Sequence, residues 1–250
     1  MKFAIISDIH SNLESLEKAI EIIESFSIEK IICLGDIIGY GANPNECLEI
    51  VKKYCDQIIL GNHDEASLSS EHEENHFNSI ALTSLNWTID NLNKQSKNFL
   101  KKLPYKVEYN DFLFVHSSPK EFKKWHYILT HHEATVNFKF FHHKICFFGH
   151  THIPYVFIQN PTQGFFSVEE NSKQYDIKKI FLNKKNKYLI NPGSIGQPRD
   201  FNPFLSFGIF DSSEYSFQIV RAKYNVRKSA HKILDKNLPE KNAQRLFIGA

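Results

Sequence analysis

Residues 2–10 read KFAIISDIH, an apolar run of strand length that ends in an aspartate and a histidine. The pattern returns at residues 30–36, KIICLGD, and again at 57–64, QIILGNHD. Between the first two runs, Leu13, Leu16, Ile20 and Ile23 recur at helical spacing over Asn12–Glu24. Between the second and third, Asn43-Pro44-Asn45-Glu46 has the form of an N-cap, a proline at the first helical position and an acidic N3 residue. This opens a helix that extends to about Tyr54. The order β-α-β-α-β predicts a mostly parallel sheet with right-handed crossovers. The carboxyl ends of such strands share one edge, where ligands bind. Asp8, His10, Asp36, Asn62 and His63 are therefore expected to meet, although the chain separates them widely.

Downstream, helical pattern dominates from about Ser79 to Leu103 and stops at Pro104. Strands are expected at Tyr105–Glu108, Phe112–His116, Ile145–Phe148 and Tyr155–Ile158, with a helix from about Glu133 to Phe141. Residues 160–187 are polar and Lys-rich and are expected to form an exposed hairpin or insertion. Leu205–Asp211 and Tyr215–Tyr224 flank Ser212-Ser213 as a hairpin, and a short helix near Val226–Leu234 opens a C-terminal helical tail over 225–250. No internal repeat or separating linker interrupts the chain, so one domain over 1–250 is expected.

The composition excludes several classes. With 250 residues, 42% of them hydrophobic and 23% charged, and only 10 Gly and 9 Pro, disorder, collagen and coiled coil are ruled out. The net charge of +2 is not gathered into a basic stripe, and only Arg199, Arg221, Arg227 and Arg245 carry guanidinium groups. There is thus no strong nucleic-acid signature. Cys33, Cys47, Cys55 and Cys146 lack C-x-x-C spacing; Cys33 and Cys146 sit in apolar runs and are expected in the core. The opening MKFAIIS reaches Asp8 too soon for a signal peptide, and no stretch approaches the ~18 apolar residues of a membrane span. A soluble, cytoplasmic protein with no membrane partner is expected.

Two later strands add Val115-His116 and Phe148-Gly149-His150-Thr151-His152 at their ends. Histidines two apart on extended chain point the same way, so His150 and His152 can face one cavity. The donors then comprise two carboxylates, one amide oxygen and four imidazoles, with His63 spare. That exceeds the four ligands of a tetrahedral zinc and includes no thiolate. Two ions sharing a bridging carboxylate fit better, since such pairs, ~3.5–4 Å apart, clamp both oxygens of an in-line displacement. Two divalent ions, two aspartates and a bridging hydroxide leave a net charge of about +1, suited to an anionic phosphate. Mixed O/N ligation suits Mn²⁺, Fe or Zn²⁺. Arg199 offers a planar fork that matches phosphate oxygens, or else a salt bridge with Asp200. Asn12, at the start of the first helix, is either an anion-friendly N-terminus or a plain N-cap.

The series D-x-H, G-D, G-N-H-D, a lone His and G-H-x-H resembles that of the calcineurin-like metallophosphoesterase superfamily. The likeness runs from Met1 to about Asp211, and GDIIGYGANPNEC and NPGSIGQPRD are similar to its small prokaryotic phosphodiesterase branch, the YfcE-like group. The resemblance implies a four-layer αββα sandwich of two mixed β-sheets flanked by helices. It implies a first metal on Asp8, His10, Asp36 and His152, and a second on Asp36, Asn62, His116 and His150. It also implies that His63, oriented by Asp64, contacts the phosphate and protonates or stabilises the leaving oxygen. Acid–base chemistry supports that role, because a histidine tuned near neutrality by a carboxylate can supply the proton. The expected activity is hydrolysis of a small phosphate ester, a diester above all. The alternatives are a non-catalytic scaffold such as the retromer subunit, a dinucleoside polyphosphate hydrolase, or a nuclease. The intact ligand set favours the enzyme over the scaffold.

Two departures from the family pattern stand out. His116-Ser117-Ser118 replaces the common His-Gly-Ser, and Leu60 stands where phosphatases and tetraphosphate hydrolases carry an arginine before G-N-H. His72-Glu73-Glu74-Asn75-His76 matches the H-E-x-x-H zinc-protease string, but its surroundings lack the apolar pattern that would bury such a helix. It is read as a chance match in a loop. His131-His132 and His142-His143 are expected to be exposed and divergent. Phe138, Phe140, Phe141, Phe147 and Phe148 are expected in the core rather than as a base-stacking platform.

Overall fold

The computed structural model describes residues 1–68, 77–161, 164–168 and 179–250. Strands β1 (Lys2–Ile6), β2 (Lys30–Cys33) and β3 (Gln57–Ile58) alternate with helices α1 (Leu13–Glu24) and α2 (Pro44–Tyr54). Next come α3 (Asn62–Ala66), α4 (Ser79–Asn91), α5 (Lys94–Leu100), β4 (Lys106–Tyr109), β5 (Phe112–Val115), α6 (His131–Asn137) and β6 (Ile145–Phe147). The chain continues through β7 (Tyr155–Asn160), β8 (Gly164–Val168), β9 (Lys179–Phe181), β10 (Lys187–Asn191), β11 (Leu205–Asp211), β12 (Ser216–Ala222), α7 (Val226–Asp235) and α8 (Glu240–Ile248).

The strands form two six-stranded sheets, ordered β3-β2-β1-β11-β12-β9 and β4-β5-β6-β10-β7-β8. The first half of the first sheet is parallel, as the β-α-β-α-β reading requires, with Phe3 opposite Lys30 and Ile32 opposite Gln57. Its second half is antiparallel, because β11 returns along the free edge of β1 and pairs Asp211 with Lys2. The sheet is therefore mixed rather than mostly parallel. Alternation along β1 generates the layers: Phe3 and Ile5 face the second sheet with Phe114, Phe147, Tyr188 and Phe210, while Ala4 and Ile6 face α1 and α2 with Leu16, Ile20 and Leu48. The outer face of the second sheet buries Val115, Cys146, Phe148 and Leu189 with Phe138 and Phe141 around α6. This is the expected αββα sandwich.

Some sequence expectations need correction. The pattern over 79–103 is two helices, since the Asn93 side chain accepts the Ser96 N–H (2.8 Å) and restarts the chain as α5. Within 160–187, β7 and β8 form an antiparallel hairpin and β9 becomes an edge strand; residues 162–163 and 169–178 lie outside the described residues. β10, hidden at the end of this polar stretch, is central to the second sheet, paired with both β6 and β7. Phe140 is exposed, unlike its phenylalanine neighbours. His142 and His143 do not diverge; their rings stack at 4.1 Å, and His143 is buried against Glu108. The H-E-x-x-H string at His72–His76 lies outside the described residues. Among the described residues, no helix is long and apolar enough to cross a membrane.

Candidate metal centre

The loops after β1, β2, β5 and β6 and the start of α3 open on the same end of the sandwich, and each delivers the residues that the sequence singles out. The backbone there is strained. Asp8, His10, Asp36, His150 and His152 all have positive φ, between 48° and 65°. Non-glycine residues seldom adopt that region, and such strain concentrates at functional sites. Hydrogen bonds hold it in place: Asp8 N–H to the Gly35 carbonyl (3.1 Å), His10 N–H to the Asp36 carbonyl (3.0 Å), and His150 N–H to Asp8 Oδ2 (3.0 Å).

Three buried groups of donors result: Asp8–His10–His152, Asp36–His116–His150, and His10–Asp36–His63. Within each, the ligand atoms lie within 4.8 Å of one another. Asp36 Oδ2 is 3.3 Å from His116 Nε2 and 3.7 Å from His10 Nε2, which places it between the first two groups. Asn62 Oδ1 is 3.2 Å from His116 Nε2.

The imidazoles are aimed by their other nitrogens. His10 Nδ1 meets the Ile38 carbonyl (3.0 Å), His116 Nδ1 the Leu34 carbonyl (2.9 Å) and His152 Nδ1 the Gln197 carbonyl (2.5 Å). A carbonyl only accepts, so each Nδ1 carries a proton, and in His10 and His152, which burial keeps neutral, a bare Nε2 faces inward. His10 Nε2 and His152 Nε2 stand 3.0 Å apart. Two lone pairs facing at that distance repel unless a cation joins them. His150 Nε2 is likewise buried without a hydrogen-bond partner. The donor set therefore fits divalent cations held by nitrogen and oxygen.

Electrostatics agree. Burial drives the pKa of His10 and His152 well below the ordinary imidazole value and that of His150 down to about 3, so these rings are neutral donors. Burial opposes charge on Asp36 as well, but His116 and His63 beside it outweigh that effect and keep its carboxylate ionised. Burial also opposes the charge on His116, yet Asp36 prevails and lifts it to about 9. Burial lifts Asp8 to about 6.

A model of the calcineurin-like phosphoesterase superfamily domain matches residues 1–214. The chain belongs to this superfamily. An uncharacterised protein of Methanocaldococcus jannaschii is 39% identical over 250 residues, spanning 98% of this chain and 97% of its own. The crystal structure of a metallophosphoesterase from Sphaerobacter thermophilus superposes with a TM-score of 0.84 at 30% identity, over 100% of both chains. A hypothetical protein from Pyrococcus horikoshii shares the fold, with a TM-score of 0.79 at 18% identity over 100% of this chain and 98% of that one. The family works with divalent metals, and the clustered aspartates and histidines of this chain are of the kind that binds them.

Around the donor groups the structure departs from the sequence reading at Asp64 and at His63. No hydrogen bond joins Asp64 to the His63 ring, whose Nδ1 is buried without a partner. Asp64 Oδ1 accepts the N–H groups of Ile37 (3.0 Å) and Ile38 (3.2 Å) and its Oδ2 that of Gly61 (3.0 Å), so it ties two site loops together. The Gly61 bond is a capping-box bond, legible from an acidic residue three positions after the cap. His63 is instead packed between the rings of Tyr40 (4.6 Å), His10 (4.9 Å) and Phe77 (5.0 Å), and burial lowers it to about 4 rather than near neutrality. Its backbone N–H donates to Asp36 Oδ1 (2.8 Å).

Asn12 is a structural cap. Its Oδ1 accepts from Ser15 N–H and Ser229 Oγ, and its amide donates to the Gly196 carbonyl and Tyr224 hydroxyl, leaving no free atom for an anion. Arg199 does not pair with Asp200, which is taken by Arg221. It donates to Gln197 Oε1 (2.9 Å) and lies 5.8 Å from the Tyr40 ring centre, where its charge bears on Asp8, His10, His63, His150 and His152. Asn191 supports the G-H-x-H loop by donating to the Gly149 carbonyl (2.8 Å) and Thr151 hydroxyl (3.0 Å). Sequence reasoning assigned no role to Trp125 and Tyr127. Tyr127 stacks on His150 at 4.1 Å and Trp125 meets His116 edge-on at 5.7 Å. Both come from an irregular loop with no periodicity to mark it.

Proposed function

We propose that this phosphoesterase is a phosphodiesterase with a dinuclear centre. Asp8, His10, Asp36 and His152 hold the first divalent ion, and Asp36, Asn62, His116 and His150 the second. The observation that carries this reading is the Asp36 carboxylate, whose Oδ2 stands 3.3 Å from His116 Nε2 and 3.7 Å from His10 Nε2, between the two donor groups. Such an ion pair, when bound, polarises the phosphoryl oxygens and activates water for in-line attack. The protein residues then divide the remaining work. His63 is neutral at pH 7 and packed on three sides, so it donates a hydrogen bond toward the phosphate and leaving oxygens. Arg199 turns its unengaged NH1 toward a phosphate oxygen and anchors the substrate. Mn²⁺, Fe and Zn²⁺ all suit the mixed donors. A small phosphate ester met in the cytoplasm, with no membrane or nucleic-acid partner, is the substrate class that this site and the modest net charge favour.

The test is turnover of bis-p-nitrophenyl phosphate by Mn²⁺-loaded protein, abolished by EDTA, with metal analysis giving two ions per chain. Metal-loaded protein that turns over neither diesters nor monoesters would return the fold to a scaffold role.

A further inference from the structure

Of the four imidazoles in the Asp8 and Asp36 donor groups, three are held alike: a backbone carbonyl meets the Nδ1 of His10, His116 and His152. His150 is the exception. Its backbone N–H donates to the Asp8 carboxylate (3.0 Å), but among the described residues no hydrogen bond reaches its ring, and its Nε2 is buried without a partner. The last torsion of a histidine side chain has broad wells, so a ring without a hydrogen bond swings unless packing stops it.

The packing here is aromatic. Tyr127 stacks on the His150 ring with centres 4.1 Å apart and planes 26° from parallel, and the His116 ring meets it edge-on at 5.2 Å. Tyr127 is itself 47% exposed, so burial of its own surface does not explain its position. Its backbone is nonetheless pinned. The next residue, Ile128, is buried with Val115, Phe138 and Phe148. Beyond it, the Leu129 and Thr130 N–H groups donate to Glu133 Oε2 (2.7 and 2.8 Å), in the capping box that opens α6. A ring carried on this anchor can restrain its neighbour without being buried.

We propose that Tyr127 is a positioning residue: by stacking, it does for His150 what backbone carbonyls do for the other three imidazoles, and it thereby sets the affinity of the second ion's site alone. The proposal rests on the dinuclear reading above and adds an inequality between its two sites. The first site draws both its imidazoles from carbonyl-held rings, whereas the second draws one from a ring held by a half-exposed side chain. Partners that fix a ligand ring contribute about 10- to 100-fold in metal affinity, and a stacked pair belongs at the low end of that range.

The test is titration of the EDTA-treated full chain with Mn²⁺, with free ion read from its electron paramagnetic resonance signal. In Tyr127→Ala one of the two affinities is expected to fall by about ten-fold while the other changes by less than about two-fold. Tyr127→Phe, which keeps the ring, should restore both. Tyr127→Leu, which keeps apolar bulk without a plane, should lose affinity as Tyr127→Ala does, and it decides the matter if the alanine variant fails to fold. Unchanged affinities in Tyr127→Ala, equal loss at both sites, a loss in Tyr127→Phe, or full affinity in Tyr127→Leu each overturns the proposal. A Tyr127→Ala variant that binds both ions as before but raises KM for bis-p-nitrophenyl phosphate overturns it too, and makes the ring a substrate platform. Should the unsubstituted chain bind fewer than two ions, the dinuclear reading fails on its own, and proton NMR of the metal-free protein decides the positioning role. The cross-relaxation between the His150 and His116 rings is then expected to persist in Tyr127→Phe and to weaken in Tyr127→Ala; equal intensity in both overturns it.

Discussion

Gly39 and His63 are fitted to one another: a methyl group built on Gly39 would stand 2.7 Å from His63 Nδ1. Gly39 also has a φ of +93°, a conformation that side chains rarely adopt. The orientation of the ring is thus set by a missing side chain rather than by a partner carboxylate. Gly39→Ala is expected to displace the ring and lower kcat by about 10- to 100-fold at unchanged metal content, measured on the same sample. Full activity in this variant would mean that ring placement is not limiting.

His63→Ala is expected to retain both ions and lose about 10²- to 10³-fold in turnover, the range for removing one hydrogen-bond donor from a developing oxyanion. His63 also lies within ligand distance of His10 and Asp36, so metal analysis is the deciding measurement. An ion lost from this variant would make His63 a ligand.

Asp36→Asn removes the charge that both histidine groups share. Chelator competition is expected to show affinity falling by at least about ten-fold at both sites, because each loses an anionic donor in a low-dielectric pocket. Loss at one site alone would sink the bridging role.

Asp64→Asn is expected to behave as a stability variant. Its carboxylate accepts three backbone N–H groups, and an amide cannot accept all three, so about 1–3 kcal/mol should be lost. Calorimetry should register this as a melting temperature several degrees lower, while the pH–rate profile keeps its shape. The reverse pattern, a shifted profile at an unchanged melting point, would restore Asp64 as the orienting group of His63.

Metal affinity should depend on pH through His116. Burial disfavours its charge, but Asp36 lifts it from 6.5 to about 9. A folded-state pKa above the unfolded one means that the proton stabilises the metal-free protein fully below pH 6.5, and that this contribution is lost as pH rises through about 9. A cation must displace the same proton, so Mn²⁺ affinity is expected to climb with pH and level off above about 9. Chelator competition across that range checks the slope, and a flat profile would place the proton elsewhere.

Much of this was legible because the informative residues sit at strand ends. Apolar runs ending in Asp8, Asp36 and His63 reveal both the β-α-β-α-β order and the shared edge, since topology alone brings strand ends together. Asp64 and Arg199 were harder to read. Whether a carboxylate meets the neighbouring ring or three amides depends on how loops stack, and adjacency in sequence does not decide it. The Arg199–Asp200 pairing fails for the same reason, since Arg221 on β12 reaches the acid first. β10 escaped because a short apolar run at the edge of a lysine-rich segment has too little alternation to stand out. Nothing in the sequence marks Trp125 and Tyr127, whose placement comes from a loop turned by left-handed residues at Glu121 and Trp125.

The position of β1 has a consequence for biosynthesis. β1 lies in the middle of its sheet, and the neighbour that completes it, β11, is made long after it. The Gln197 carbonyl that steers His152 emerges equally late. The nascent chain therefore carries Asp8, His10 and Asp36 through most of translation in a half-built sheet with an open edge. Any ion taken up at that stage would meet an incomplete cradle, because the sheet closes only once β11 has been made.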